Sequence, residues 1–345
     1  MKILEHKDIN REAWGALVKA SATGTWFQTP EAYDFYASMP ELFKPFVVGL
    51  TCDPAGAQTQ LRAVCVGYVT VEKNAMKQFL TRRAIILGGP CLADDCINEE
   101  VLLLLSTLRQ QLSTGANAPI YIESRNFNDY SRWKDAFAAA GFDYMPHLNF
   151  HVDCRDKEVM WERLSENRHR QVRKAQATVE CLTNEGISEL DVREWYEILR
   201  ELYRTKVKTP LWPVEFFLEA YRQGVGRFML VRHEGKVIGG SMVVMWKPEE
   251  RLGTVYEWFE CGLNAEYKEQ YPSVMATWAG ITLAHETGCA RYDMMGAGEP
   301  GVPYGVRDFK SEFGGELVEH GRFLCVNKPM LYRLGKLGVK ILKRK

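Results

Sequence analysis

The sequence predicts an α/β fold with mixed sheets, built as two similar units in tandem. Three observations predict it. The chain has 345 residues, more than a single hydrophobic core usually organises. Short apolar runs alternate with stretches of 3.6-residue periodicity, the marks of strands and helices in turn. The order of these runs then restarts after residue 157 without a close repeat of sequence. The reading places a first domain at 1–152, a second at 153–328 and a basic amphipathic tail at 329–345.

In the first half, residues 10–23 and 30–38 read as helices and 47–50 as a short strand. A loop at 53–60 leads to an apolar strand at 61–71. A third strand, 84–87, ends at Gly88-Gly89-Pro90. Residues 98–112 carry a helical pattern with leucines at its centre, 119–123 a strand, and 131–140 a helix with Gly141 placed to cap it. Residues 148–152 make another strand. In the second half, 157–177 reads as one long charged helix, 191–204 as an amphipathic helix, and 213–223 as a helix with Pro213 suited to its first turn. Strands follow at 228–232, 237–245 and 254–261, then a helix at 273–287 and strands at 291–294 and 322–326.

Basic and acidic residues balance at 44 each, which gives no basis for wholesale nucleic-acid binding and excludes DNA as the expected partner. Nine cysteines, an odd number with no Cys-x-x-Cys pair, and a charged N-terminus without an apolar core predict a reducing cytoplasm. No apolar run reaches the roughly 18 residues that cross a bilayer. Residues 328–345 carry seven cations and no acid among leucines and valines. Such a helix either makes weak peripheral contact with an anionic membrane or is a surface helix with cations at its C-terminal end. No phosphate-binding lysine loop, Gly-x-Ser-x-Gly elbow or His-Glu-x-x-His pair occurs.

The richest segment is 304–315, which follows a strand and a breaker-rich loop at 296–303. Loops held by strands are good places for chemistry. Here Lys310 stands between Phe309 and Phe313 in sequence, a partly desolvated cation suited to a phosphate or an oxyanion. Tyr304 opens the segment and Asp293 ends the strand before it; both are candidates for substrate binding, Asp293 alternatively for capping the loop's amides. Glu257, among aromatic residues, is a candidate general base. Glu260 lies three residues on, which in a regular strand puts it on the opposite face. The Gly239-Gly240 pair interrupts an apolar strand and marks either a close backbone approach by a donor or room for a packed helix. Arg163, Asn167, Arg170 and Lys174 align on one face of the predicted helix 157–177, with Arg173 beside them. His147 and His151, four apart without a third ligand, do not predict a metal site.

Taken together these residues resemble the FemAB-like family of tandem GNAT-fold proteins. Trp26-Phe27-Gln28-Thr29-Pro30 is similar to its N-terminal segment, Ile122-Glu123-Ser124-Arg125 with Gly141-Phe142 to the end of its first domain, and Arg168 to Ala175 to the basic helix opening its second. Tyr292-Asp293, Gly296, Gly305, Phe309-Lys310 and Phe313-Gly314 resemble its closing motif. The resemblance implies two GNAT domains and N-acyl transfer from acyl-CoA or aminoacyl-tRNA to an amine, with no tightly bound cofactor. The acceptor it implies is a small molecule or a cell-wall precursor. It gives Lys310 the role of stabilising the transfer oxyanion, Phe309 that of shaping the cleft, and Arg170, Arg173 and Lys174 contact with anionic substrate groups. Gly239 and Gly240 would sit in the donor-binding strand. The usual pyrophosphate loop is missing: residues 267–273 read Tyr-Lys-Glu-Gln-Tyr-Pro-Ser. The arm that some tRNA-using members insert is missing too. The alternative reading is a non-catalytic binding or polysaccharide-assembly protein on the same scaffold.

Overall fold

The structure, a computed structural model, describes residues 1–52, 60–72, 74–115, 118–249 and 251–344. Apart from Gln60, the loop read at 53–60 lies outside the described residues. The chain forms two compact α/β units. One combines Met1–His147 with His320–Lys345, and the other is Leu148–Glu319.

The strands run β1 (Lys2–Glu5), β2 (Phe43–Cys52), β3 (Gln60–Thr70), β4 (Ala84–Gly88), β5 (Cys91–Leu92), β6 (Tyr121–Asn126) and β7 (Asp143–Met145). The second unit holds β8 (Leu148–Asp153), β9 (Glu180–Leu182), β10 (Arg227–His233), β11 (Lys236–Trp246), β12 (Thr254–Gly262), β13 (Arg291–Asp293) and β14 (Glu316–Glu319). The last strand, β15 (Arg322–Val326), goes back to the first sheet, whose order is β1-β2-β3-β4-β6-β15-β7, with β5 on β3. The expected boundary at 328 is therefore corrected. Residues 320–328 belong with the first unit, because β15 pairs with β6 on one side and β7 on the other.

Local chemistry explains most elements. Thr29 caps the helix Pro30–Ala37 by accepting from the Ala32 amide, and Pro30 supplies its first turn. Gln28, fully buried, donates to the carbonyls of Val66 and Leu87 and accepts from the Val66 amide, so it bolts β3 to β4. The Phe27-Gln28-Thr29 segment is thus a packing and capping device. In the helix Asn98–Ser113, Val101, Leu104, Leu105 and Leu108 are buried in the first core.

The second sheet runs β14-β8-β13-β12-β11-β10-β9, with β12 and β13 parallel. The helices Glu189–Leu202 and Pro272–Glu286 both pack on β11 and β12. Ser188 and Asp191 form a reciprocal cap at the start of the former. The single helix expected at 157–177 is two, Lys157–Glu162 and Glu166–Gln176. Ser165 breaks it: its hydroxyl accepts from the Arg168 amide while its own N–H donates to the Glu312 carbonyl. Arg163 consequently leaves the predicted basic face and lies 3.8 Å from Asp153.

Gly239 and Gly240 lie in β11 with partners on both sides, β10 and β12. A Cβ on Gly240 would come within 2.6 Å of the Met229 carbonyl oxygen and 3.0 Å of the Trp195 ring; one on Gly239 would meet Pro272 and the Cys261 carbonyl at 2.9 Å. Close packing of a helix on each face therefore accounts for the pair. Gly240→Ala is expected to cost about 1–3 kcal/mol through overpacking, read as a lower urea midpoint. An unchanged midpoint would show that the strand can absorb a methyl group there.

Candidate active site

The site is built where two parallel strands part company. β12 pairs with β13 only from Thr254 to Tyr256, yet continues along β11 to Gly262. The register between β11 and β12 shifts between Met242 and Val243: Val243 faces Glu257 while Met242 faces Phe259, so Trp258 is an extra residue, a β-bulge. The bulge resets the side-chain alternation. Glu257 and Glu260, expected on opposite faces, instead reach one helix. Glu257 accepts from the Thr277 hydroxyl at 3.0 Å, and Ser273, one turn earlier on that helix, is near enough to Glu260 to pull its pKa down.

The two carboxyls differ in their surroundings. Glu257 is 5% exposed, and its Oε1 also accepts from the Tyr292 hydroxyl at 2.9 Å. Burial raises its pKa, against the pull of Lys310 and these two donors. Glu260 Oε1 is buried with no hydrogen-bond partner. Burial, and then the neighbouring Glu257 charge, push its pKa up to about 8, outweighing Ser273 and Lys310. A carboxyl so tuned can take a proton from an amine near neutral pH.

Lys310 sits in the last turn of the helix Gly305–Ser311 and is 8% exposed. Its Nζ donates to the Gly296 carbonyl at 2.9 Å and to the Met294 carbonyl. Burial lowers its pKa, opposed by the charges of Glu257, Asp293 and Glu260. Two of its three N–H bonds hold the loop after β13, where Met295 (φ 51°) and Gly296 (φ 93°) are left-handed. Asp293 clamps the same loop. One carboxylate oxygen accepts from Asn149 at 2.7 Å and from the Met295 amide at 2.8 Å, and the other lies 3.2 Å from the His151 ring. Burial pushes the Asp293 carboxyl up, but His151 and its hydrogen bonds hold it below its ordinary value. Asn149 adds an acceptor for the Gly296 amide.

Lys310 is not the cation between the two phenylalanine rings. That place belongs to Arg168, whose guanidinium carbon lies 4.5 Å from the Phe309 ring centre and 4.9 Å from that of Phe313. Arg168 also donates to the Phe309 carbonyl at 3.1 Å and pairs with Glu312 at 3.5 Å. It ties the basic helix to the closing motif. Arg170, Arg173 and Lys174 line an open surface groove with Glu166 and His169. Arg170 donates to Asn167, Arg173 lies over the Trp161 ring, and Lys174 pairs with Glu269. Tyr304 is 44% exposed at the start of the helix that carries Lys310. Arg307, which sequence reasoning passed over, donates to the Ala297, Glu299 and Val302 carbonyls and so secures the 296–303 loop. Thr277 was equally unmarked in sequence, and Tyr292 stood there only as part of the closing motif, without a role toward Glu257.

At the N-terminus of the helix Pro272–Glu286, Pro272 has no N–H and the Ser273 amide donates to Asn264 at 3.2 Å. His147 and His151 go to different partners, Arg322 at 2.9 Å and Asp293. Among the described residues no group of three or more metal-ligating side chains could hold a metal ion. No helix among them is long and apolar enough to cross a membrane.

Residues 163–311 match the family model of the acetyltransferase (GNAT) domain, a family whose members use acyl-CoA as co-substrate. No curated protein sequence matches the chain. Among solved structures it is similar to FemX, at 13% identity and a TM-score of 0.69, with 97% of this chain and 99% of that one covered. It is also similar to L-PGS from Bacillus licheniformis (13%, TM-score 0.54, covering 97% and 98%). A third likeness is to a tandem GNAT protein from the clavulanic acid biosynthesis pathway (10%, TM-score 0.53, covering 94% and 98%). Residues 163–311, within the second unit, thus carry the match to the acetyltransferase (GNAT) domain, and the chain as a whole shares the fold of FemX and of the tandem GNAT protein.

Proposed function

We propose that the second unit transfers an acyl or aminoacyl group from an activated donor to an amine, with Glu260 as the general base. The observation that carries this is the buried, unpartnered Glu260 Oε1 on a carboxyl whose pKa is about 8, beside Glu257 and Lys310 where β12 leaves β13. The neutral amine attacks the acyl carbonyl, forming the C–N bond and a tetrahedral oxyanion. Glu260 takes the amine proton, and collapse breaks the bond to the donor's oxygen or sulfur. Glu257, held by Thr277 and Tyr292, positions this arrangement and keeps Glu260 basic by its charge. Lys310 holds the loop and has one N–H left for the oxyanion or for a substrate phosphate. Phe309, Tyr304 and Asp293 shape the surroundings, and Arg170, Arg173 and Lys174 are the candidate contacts for anionic substrate groups.

Two observations bear on the donor. The match to the acetyltransferase (GNAT) model favours acyl-CoA. The helix N-terminus that would cradle a pyrophosphate is blocked by Pro272 and filled by Asn264, which favours an aminoacyl ester such as aminoacyl-tRNA. A cell-wall precursor is the acceptor class the family resemblance implies. The test is a transfer assay with acetyl-CoA and aminoacyl-tRNA in parallel, using a panel of amines that includes UDP-linked muropeptides. Product from one donor, lost in Glu260→Gln, is expected. Product formed equally well by Glu260→Gln would remove Glu260 from the role of base.

A further inference from the structure

In the first unit two helices expose apolar side chains, and the shorter of them has its polarity turned inside out. The helix Ala75–Thr81 buries its glutamine: the Gln78 side chain donates to the Thr70 carbonyl and accepts from the Glu72 amide. Its apolar side chains face outward, with Met76 71%, Phe79 55% and Leu80 50% exposed. The helix Pro329–Arg344 packs against it. That second helix is anchored by Tyr332, whose ring lies 5.5 Å from that of Tyr121 in β6, while Met330 and Leu334 are 80% and 61% exposed. Five of the thirteen exposed large apolar side chains among the described residues fall on these two helices. Isolated exposed leucines are normal, but a concentration of them marks a binding face.

The charges say what kind of face. Residues 73–83 carry four cations and residues 328–345 carry seven, with no Asp or Glu in either segment, in a chain that is neutral as a whole. The two segments are over two hundred residues apart in sequence, yet the Lys328 ammonium lies 5.5 Å from the Phe79 ring centre. Cations alone would suit RNA. Exposed Met76, Leu80, Met330 and Leu334 would not, since aliphatic side chains neither pair with phosphate nor stack on bases as aromatic rings do. Exposed apolar side chains on segments whose sequence is rich in Lys and Arg suit a bilayer surface, where the chains enter the headgroup region and the cations meet anionic lipid.

We propose that the helices Ala75–Thr81 and Pro329–Arg344 together form a docking surface for anionic membranes. The test is co-sedimentation of the full chain with vesicles of phosphatidylcholine alone or enriched in phosphatidylglycerol, at low and high salt. Binding is expected only to the anionic vesicles and is expected to weaken with salt. Phe79→Ser with Leu334→Ser should weaken it by about tenfold or more, and Lys328→Glu with Lys336→Glu comparably. Both pairs replace exposed or half-exposed side chains, so melting temperature should stay unchanged; Met330→Ser is the substitute if either pair melts early. The proposal is overturned if the wild-type chain ignores anionic vesicles, or if the serine pair binds them as well as wild type. It is also overturned if the chain binds tRNA with equal affinity before and after the serine substitutions while ignoring vesicles.

Discussion

Replacing Lys310 by methionine is expected to abolish acyl transfer and also to lower the unfolding free energy by about 2–4 kcal/mol. The Met294 and Gly296 carbonyls would lose their donor inside the second unit, and a buried acceptor left unmatched costs about 1–3 kcal/mol. Glu257, Glu260 and Asp293 would also lose their nearest shared positive charge. Methionine fills much of the same volume, so the loss reports the ammonium and not a cavity. Urea unfolding gives the stability term, and single-turnover transfer by the folded fraction gives the chemical one. A variant as stable as wild type would show that Lys310 does not hold the loop. A stable or unstable variant that still transfers at the wild-type rate would take Lys310 out of the reaction.

The second large effect follows pH. The folded pKa of Glu260, about 8, lies above the ordinary carboxyl value of 4.5. The folded state therefore binds this proton more tightly than the unfolded state does. Its contribution to stability is complete below pH 4.5 and is lost as pH rises from there to about 8. That loss amounts to roughly 3–5 kcal/mol at most. Activity should move the other way, rising with pH to a plateau above pH 8 as the carboxylate forms. Glu260→Gln should flatten the stability decline and reduce kcat by about 100-fold or more, with the inflection gone. Urea midpoints and kcat across pH 5–9 measure both. A Gln variant that keeps the inflection would assign it to another group.

Much of the fold is legible in the sequence because its signals are local. Val- and Ile-rich runs mark β3, β4 and β11, Thr29-Pro30 and Ser188–Asp191 mark helix starts, and the Lys310 segment stands out by its aromatic and glycine neighbours. What is not legible depends on a partner far along the chain. A bulge at Trp258 exists only relative to the register of β11, so period-two counting put Glu260 on the wrong face. Arg168 enters the space between Phe309 and Phe313 from 141 residues away, and no local pattern distinguishes it from Arg170 or Arg173. The glycine pair left two readings open in sequence, a donor's approach or room for a packed helix, and only the packed helices show that Trp195 and Pro272 come against it. Short edge elements such as β1, β9 and β14 carry too few residues for any period to show.

The place of β15 has a consequence for how the chain assembles. β15 lies between β6 and β7 rather than at a margin, and it is made after every residue of the second unit. On the ribosome, a chain that has reached Glu319 holds a whole second unit but a first sheet with the slot between β6 and β7 empty. The first half then waits through some 170 residues of synthesis for the strand that joins its two parts, closing a long loop at an entropic cost that grows only slowly with length. The unit that begins the chain is the one that finishes last.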